Sequence, residues 1–127
     1  MTRKAVFVGS PVAGAPYTPG IIVGDLVFVS GQIPIDPSTG AIVAGEFEDR
    51  VRRCILNVGA VLEQAGSDLE HVVKVVVFLT DMENFARMNR VYAEYWGPVK
   101  PARSCVQVAG LPLGADVEME AIAILKR

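Results

Sequence analysis

An arginine and a cysteine two positions apart on a short, mostly apolar stretch are the residues here with the clearest chemistry to offer. Pro101-Ala102-Arg103-Ser104-Cys105-Val106-Gln107-Val108 reads as a strand, because Val106 and Val108 are β-branched and Pro101 stands just before the run, where proline is tolerated. Side chains alternate along a strand, so Arg103, Cys105 and Gln107 share one side, and Ala102, Ser104, Val106 and Val108 share the other. A guanidinium is a planar fork that stays charged and grips a carboxylate through two parallel hydrogen bonds. Beside a small neutral residue such as Cys105, it could hold a small acid in a shallow pocket. The plainer alternative is an arginine paired with one of the chain's own carboxylates.

Glu120 is the natural carboxylate for either role. It lies in the last strand, Val117 to Leu125, where Glu118, Glu120, Ile122 and Ile124 share a face. Apolar neighbours could draw it inward; burial alone would raise its pKa and a nearby arginine would lower it. The plain reading is a structural Glu120–Arg103 pair, and the chemical one is an acid–base group. Cys105 as a nucleophile would need a base, and His71 is the only histidine. Nothing couples the two, so Cys105 is expected to line a pocket. Tyr17 is the only large side chain in the loop Gly9–Gly20, placed either to plug it onto the core or to wall a ligand site. Asn89 falls on or near the apolar stripe of a helix, where a buried amide must tie down a loop or point into a pocket.

These residues need elements to position them. Lys4 to Val8 is a first strand, and the loop that follows is stiffened by prolines. Ile21–Val23 and Leu26–Ser30 flank Gly24-Asp25, a two-residue hairpin with glycine first, as a type II′ turn requires. Gly31 ends the second of these strands where a backbone can come close to something. Asp36 to Gly40 is a surface turn.

Glu46 to Ala65 is a helix with Phe47, Val51, Ile55, Val58 and Leu62 on one stripe, acids in its first turn and Gly66 at its end. Val72 to Leu79 is almost wholly apolar, as an interior strand should be. Thr80 or Asp81 then caps a second helix running to Trp96. The order predicts a single α+β domain over residues 1–127, with a mixed sheet, two helices on one face, and the other face apolar and free for partner subunits.

Composition narrows the class. The 127 residues carry 12 basic and 14 acidic side chains with no basic run, which argues against a nucleic-acid footprint. Hydrophobic residues make up 51% and mean hydropathy is +0.38, more apolar material than a small globule hides by itself. The apolar runs are too short for a bilayer, so a homo-oligomer with an apolar interface is expected. No signal-peptide pattern fits Met1–Pro11, and Cys54 and Cys105 lack metal or disulfide spacing. A cytoplasmic protein with free thiols, and no metal, is the expectation.

Taken together, Ala15-Pro16-Tyr17, Val29-Ser30-Gly31-Gln32-Ile33-Pro34, Asn57-Val58, Lys74 to Asp81, Asn89-Arg90-Val91-Tyr92, the Arg-Ser-Cys-Val block from Arg103, and Val117 to Ala123 resemble the reactive-intermediate deaminase family, RidA or YjgF. The resemblance spans nearly the whole chain. It implies a chorismate-mutase-like α+β fold, a homotrimer with sites between subunits, and hydrolysis of 2-imino and enamino acids without a cofactor. By the same resemblance Arg103 clamps the substrate carboxylate and Glu120 positions the attacking water. Tyr17, Ser30, Gly31, Asn89 and Cys105 would shape the pocket. Ala15, Thr18-Pro19 and Gly110 depart from the family's usual residues. Two other readings remain: a non-catalytic trimer that binds small acids to sense metabolites or regulate a partner, and an RNA-directed or chaperone-like activity.

Overall fold

Stretches with apolar residues at every second position, and one long helical stripe between them, build a sheet backed on a single side. The computed structural model describes residues 1–127. Its strands are β1 (Lys4–Val6), β2 (Gly20–Val23), β3 (Leu26–Gln32), β4 (Val72–Leu79), β5 (Ala102–Gln107) and β6 (Val117–Ile124), and its helices are α1 (Phe47–Ala65) and α2 (Phe85–Tyr92). The sheet order is β1-β2-β3-β6-β4-β5. All pairs are antiparallel except β4 with β5, whose parallel pairing needs the crossover that contains α2. The sheet is mixed and the fold α+β, as the pattern predicts.

Val23 pairs with Leu26, leaving Gly24-Asp25 as a two-residue turn. Gly24 has φ 57°, the left-handed value a turn with glycine first demands. β1 stops at Val6 rather than Val8. Val6 pairs with Gly20, the first residue of β2, so Phe7 and Val8 have no strand left to join.

In α1, Glu46 accepts an N–H from Asp49 and the Asp49 carboxylate accepts the Glu46 N–H at 3.0 Å, closing a reciprocal cap. Gly66 ends the helix at φ 90°. Its stripe of Val51, Ile55, Val58 and Leu62 is fully buried against Val27, Val75, Val77 and Met119 of the sheet. Ile55→Ala should therefore lower unfolding free energy by about 2–5 kcal/mol in chemical denaturation, since it opens a void in this layer. A loss under about 1 kcal/mol would show that the layer collapses freely around it.

The second helix is shorter than the sequence suggests. Asp81 starts a single 3-10 turn, Met82–Asn84, by accepting the Glu83 N–H at 2.9 Å, and α2 proper ends at Tyr92. Trp96 adopts φ 82° and so cannot continue the helix. That excursion buries its indole beside Tyr92, with ring centroids 4.9 Å apart. Both helices lie on one face. On the other, Phe28, Val106 and Ile124 are about two-fifths exposed, a sheet face that the single chain leaves uncovered.

Candidate functional site

Register decides where the chemistry faces. Arg103 stands beside Val75, which is fully buried under the helices, so Arg103 and Cys105 point to that same side beneath α2. α2 presents Phe85, Met88, Asn89 and Tyr92 at helical spacing to meet them. The Arg103 guanidinium donates to the Asn89 Oδ1 at 2.7 Å and reaches the Met88 sulfur at 3.9 Å. It also lies 4.7 Å from the Tyr92 ring centroid and 5.5 Å from that of Phe85.

All four of these partners are neutral. Arg50, Arg52, Arg87 and Arg127 each pair with a carboxylate, and Arg103 pairs with none. Burial pushes the Tyr92 hydroxyl up to about 12, against the pull of Arg103, so it stays a phenol. Burial likewise pushes the Cys105 thiol up, again opposed by Arg103. A thiol held in that form is a wall, not a nucleophile. His71 cannot help it, because its Nδ1 lies 2.6 Å from Asp68 Oδ1 in a turn.

Glu120 faces the other way. It pairs in register with Val76, the neighbour of Val75, so it stands on the open face with Glu118. The in-chain Arg103–Glu120 pair considered from sequence does not form, for this reason of register. Glu118 and Glu120 instead line a hollow of about 840 Å³, together with Tyr17, Ser30, Gly31 and Leu113. Tyr17 is 64% exposed and plugs nothing. Its loop is fastened by Ser30, whose N–H donates to the Pro19 carbonyl at 2.9 Å and whose hydroxyl donates to that of Thr18 at 2.5 Å.

What comes close to Gly31 is Glu118. A Cβ at residue 31 would sit 2.9 Å from the Glu118 Cδ, so only glycine lets this carboxylate lie against the strand. The β3–β6 register shifts between Val29 and Gln32, the irregularity that turns Gly31 toward it. Burial pushes the Glu118 carboxyl up from its ordinary value, and the Glu120 charge adds to this. Glu118 is half-buried, whereas Glu120 is exposed. Glu118 was not singled out from sequence; the signal available was that it shares a face with Glu120 and that Gly31 must admit some close neighbour.

Gly31→Ala should leave the fold in place, displace the Glu118 side chain and weaken any function of the hollow by about tenfold or more. A crystal structure of the variant with Glu118 unmoved would contradict this. Gly110 borders open space, with nothing within 4 Å of an added Cβ, so a side chain there would meet no packing neighbour.

No group of three or more His, Cys, Asp and Glu side chains gathers to hold a metal ion, and no helix is long and apolar enough to cross a membrane.

One chain thus carries two groups of candidate residues on opposite faces of its sheet. The first is a neutral-walled cation built from Arg103, Asn89 and Cys105. The second is a glutamate-lined hollow built from Tyr17, Ser30, Gly31, Glu118 and Glu120. Neither faces the other within the chain.

Comparison with known proteins follows the same lines. The family model described as Endoribonuclease L-PSP matches residues 8–125. A RutC family protein of Pyrococcus abyssi is 49% identical over 124 residues, 97% of this chain and 98% of that one. The bovine 2-iminobutanoate/2-iminopropanoate deaminase is 39% identical over 125 residues, 98% of this chain and 91% of that protein. Among solved structures, that of Escherichia coli TdcF with bound serine superposes with a TM-score of 0.88 at 40% identity, covering 97% of this chain and 99% of that one.

Proposed function

The chain belongs to the L-PSP (RidA/YjgF) family, and on that premise we propose that it hydrolyses reactive 2-imino acids to 2-keto acids and ammonia. The observation that carries the proposal is Arg103, a half-buried guanidinium held by Asn89, Tyr92 and Phe85 with no carboxylate of its own. A fixed, unpaired fork of that kind suits the carboxylate of a small organic acid.

The substrate's C=N carbon lies next to that carboxylate. Water adds to this carbon while a glutamate of the hollow takes one of its protons and the imine nitrogen is protonated. The glutamate then passes that proton to the amine of the resulting carbinolamine, the C–N bond breaks and ammonia leaves, and the hydroxyl proton goes to solvent through the emptied glutamate, leaving the keto acid. Glu118 is the better placed of the two for the proton, being packed against Gly31 beside Ser30, with Glu120 as its neighbour. Cys105 and Asn89 shape and orient; neither reacts. The chemistry asks for no metal or cofactor.

The working site joins the Arg103 half of one protomer to the Tyr17–Glu118 half of another, in a homotrimer packed through the open apolar face. That arrangement accounts for both the opposed half-sites and the exposed Phe28, Val106 and Ile124. We place the protein in the cytoplasm, where such imines are released. The RNA-cleaving activity that the family description names finds less support, with acids outnumbering bases 14 to 12 and four arginines already paired.

A threonine dehydratase reaction supplemented with this protein should release ammonia and 2-oxobutanoate faster than the free intermediate decays. An unchanged rate, together with tight binding of 2-oxobutanoate, would assign the protein to acid sensing instead.

A further inference from the structure

Arg53 is the second arginine of this chain to be held by an asparagine and not by a carboxylate. Its Nε donates to Asn57 Oδ1 at 3.1 Å, one turn along α1. Asn57 is itself fixed, its amide donating to the carbonyls of Ile33 at 3.2 Å and Ile35 at 2.9 Å. The arrangement resembles Arg103 on Asn89 in that one guanidinium nitrogen is oriented by an amide oxygen; for Arg103 that nitrogen is Nη1, whereas for Arg53 it is Nε, which leaves both terminal nitrogens for something else. Arg53 is half-buried and forms no ion pair. Asp36, the acid whose charge it feels, keeps its own carboxylate on Ser38, with bonds of 2.7 and 2.8 Å.

Arg53 also lines the hollow that holds Ser30, Gly31, Glu118 and Glu120. In the single chain the hollow measures about 840 Å³, within the range of about 300–1,000 Å³ usual for ligand sites. Ile33, Ile35 and Val61 form apolar wall alongside Arg53. A hollow whose lining combines an arginine without an ion pair, apolar side chains and two glutamates suits a ligand with an apolar chain and a second carboxylate.

We propose that Arg53 is a second carboxylate-binding position in this hollow, and that it directs the site toward dicarboxylic 2-imino acids. This rests on the deaminase reading above, in which Arg103 of a neighbouring protomer takes the first carboxylate and C2 sits opposite Glu118. Arg53 then anchors the carboxylate at the end of the side chain, and Ile33 and Ile35 flank the methylenes between. It acts in binding and specificity, and no bond is made or broken at it.

Calorimetric titration of the full-length protein with 2-oxoglutarate and 2-oxobutanoate, the keto acids of a dicarboxylic and a monocarboxylic imine, tests this. Wild type should bind 2-oxoglutarate about tenfold or more tightly than 2-oxobutanoate, as one added charge-assisted contact allows. Arg53→Gln keeps a side-chain donor for Asn57 while removing the charge, and should erase that preference without changing affinity for 2-oxobutanoate. No preference in wild type, or equal weakening of both acids by R53Q, overturns the proposal. The deaminase reading fails differently: Arg103→Ala would leave both affinities unchanged. If wild type binds neither acid, both fall.

Discussion

Arg103→Ala should lower kcat/KM for the proposed imine hydrolysis by about 10²–10⁴-fold, the loss expected when a bidentate, charge-assisted grip on the substrate carboxylate is removed. The effect falls on both positioning and affinity, since the carboxylate fixes where the adjacent C=N carbon stands relative to the water. Stability changes little by comparison. Arg103 makes one hydrogen bond to Asn89 and lies over the rings of Tyr92 and Phe85, contacts whose loss should amount to about 1–2 kcal/mol. The oligomer should persist in size-exclusion chromatography. Arg103→Lys should recover only part of the activity, because an ammonium lacks the planar fork. A wild-type rate in R103A would dismiss the clamp.

Glu118→Gln should lower kcat by about 10²–10⁴-fold while leaving keto-acid affinity nearly intact, as removal of an acid–base group does. Its pH profile distinguishes this role from a structural one. Burial, and then Glu120, raise the Glu118 pKa. Activity that needs the carboxylate therefore rises with pH through that raised value, and the variant loses this limb.

Stability runs in the opposite sense. A carboxyl whose folded pKa exceeds its unfolded value binds more protons when folded, so wild type loses stability as pH climbs from the ordinary glutamate range through the raised value. Glutamine removes that penalty. E118Q should thus be inactive yet at least as stable as wild type at neutral pH. The charged groups that bear on this window are Glu120 two residues along β6, Lys74 on the same face of β4 and Arg53 on the hollow's wall. A variant that is destabilised and keeps the full pH limb would show Glu118 to be structural.

Much of this is legible in the sequence. Two-residue alternation through Arg103, Cys105 and Gln107 places arginine and cysteine on one side, and the stripe from Phe47 to Leu62 marks the helix that backs the sheet. Asn89, expected to tie down a loop or point into a pocket, instead accepts from the Arg103 guanidinium on β5. What escaped is tertiary. Whether Arg103 and Glu120 share a face depends on strand order and register, with Val75 beside one and Val76 beside the other. Periodicity within a strand carries no such information. The choice between Glu118 and Glu120 turns on the irregular pairing near Gly31, again a matter between strands. The early end of α2 reflects Trp96, whose burial beside Tyr92 outweighs the strain of a positive φ. Arg53 passed unnoticed because a charge on a helix is ordinarily a solvated one, and only the path of the Ile33–Ile35 backbone sets it over a hollow.

The central claim is that an active site forms only where one protomer's Arg103 meets another's Glu118. Mixing the two inactive variants tests it most directly. R103A and E118Q, unfolded together in equal amounts and refolded, should regain roughly a quarter of wild-type activity, since random pairing sets an intact arginine against an intact glutamate at about one interface in four. Activity no greater than that of either variant alone, in a mixture shown to contain hybrid oligomers, would contradict it.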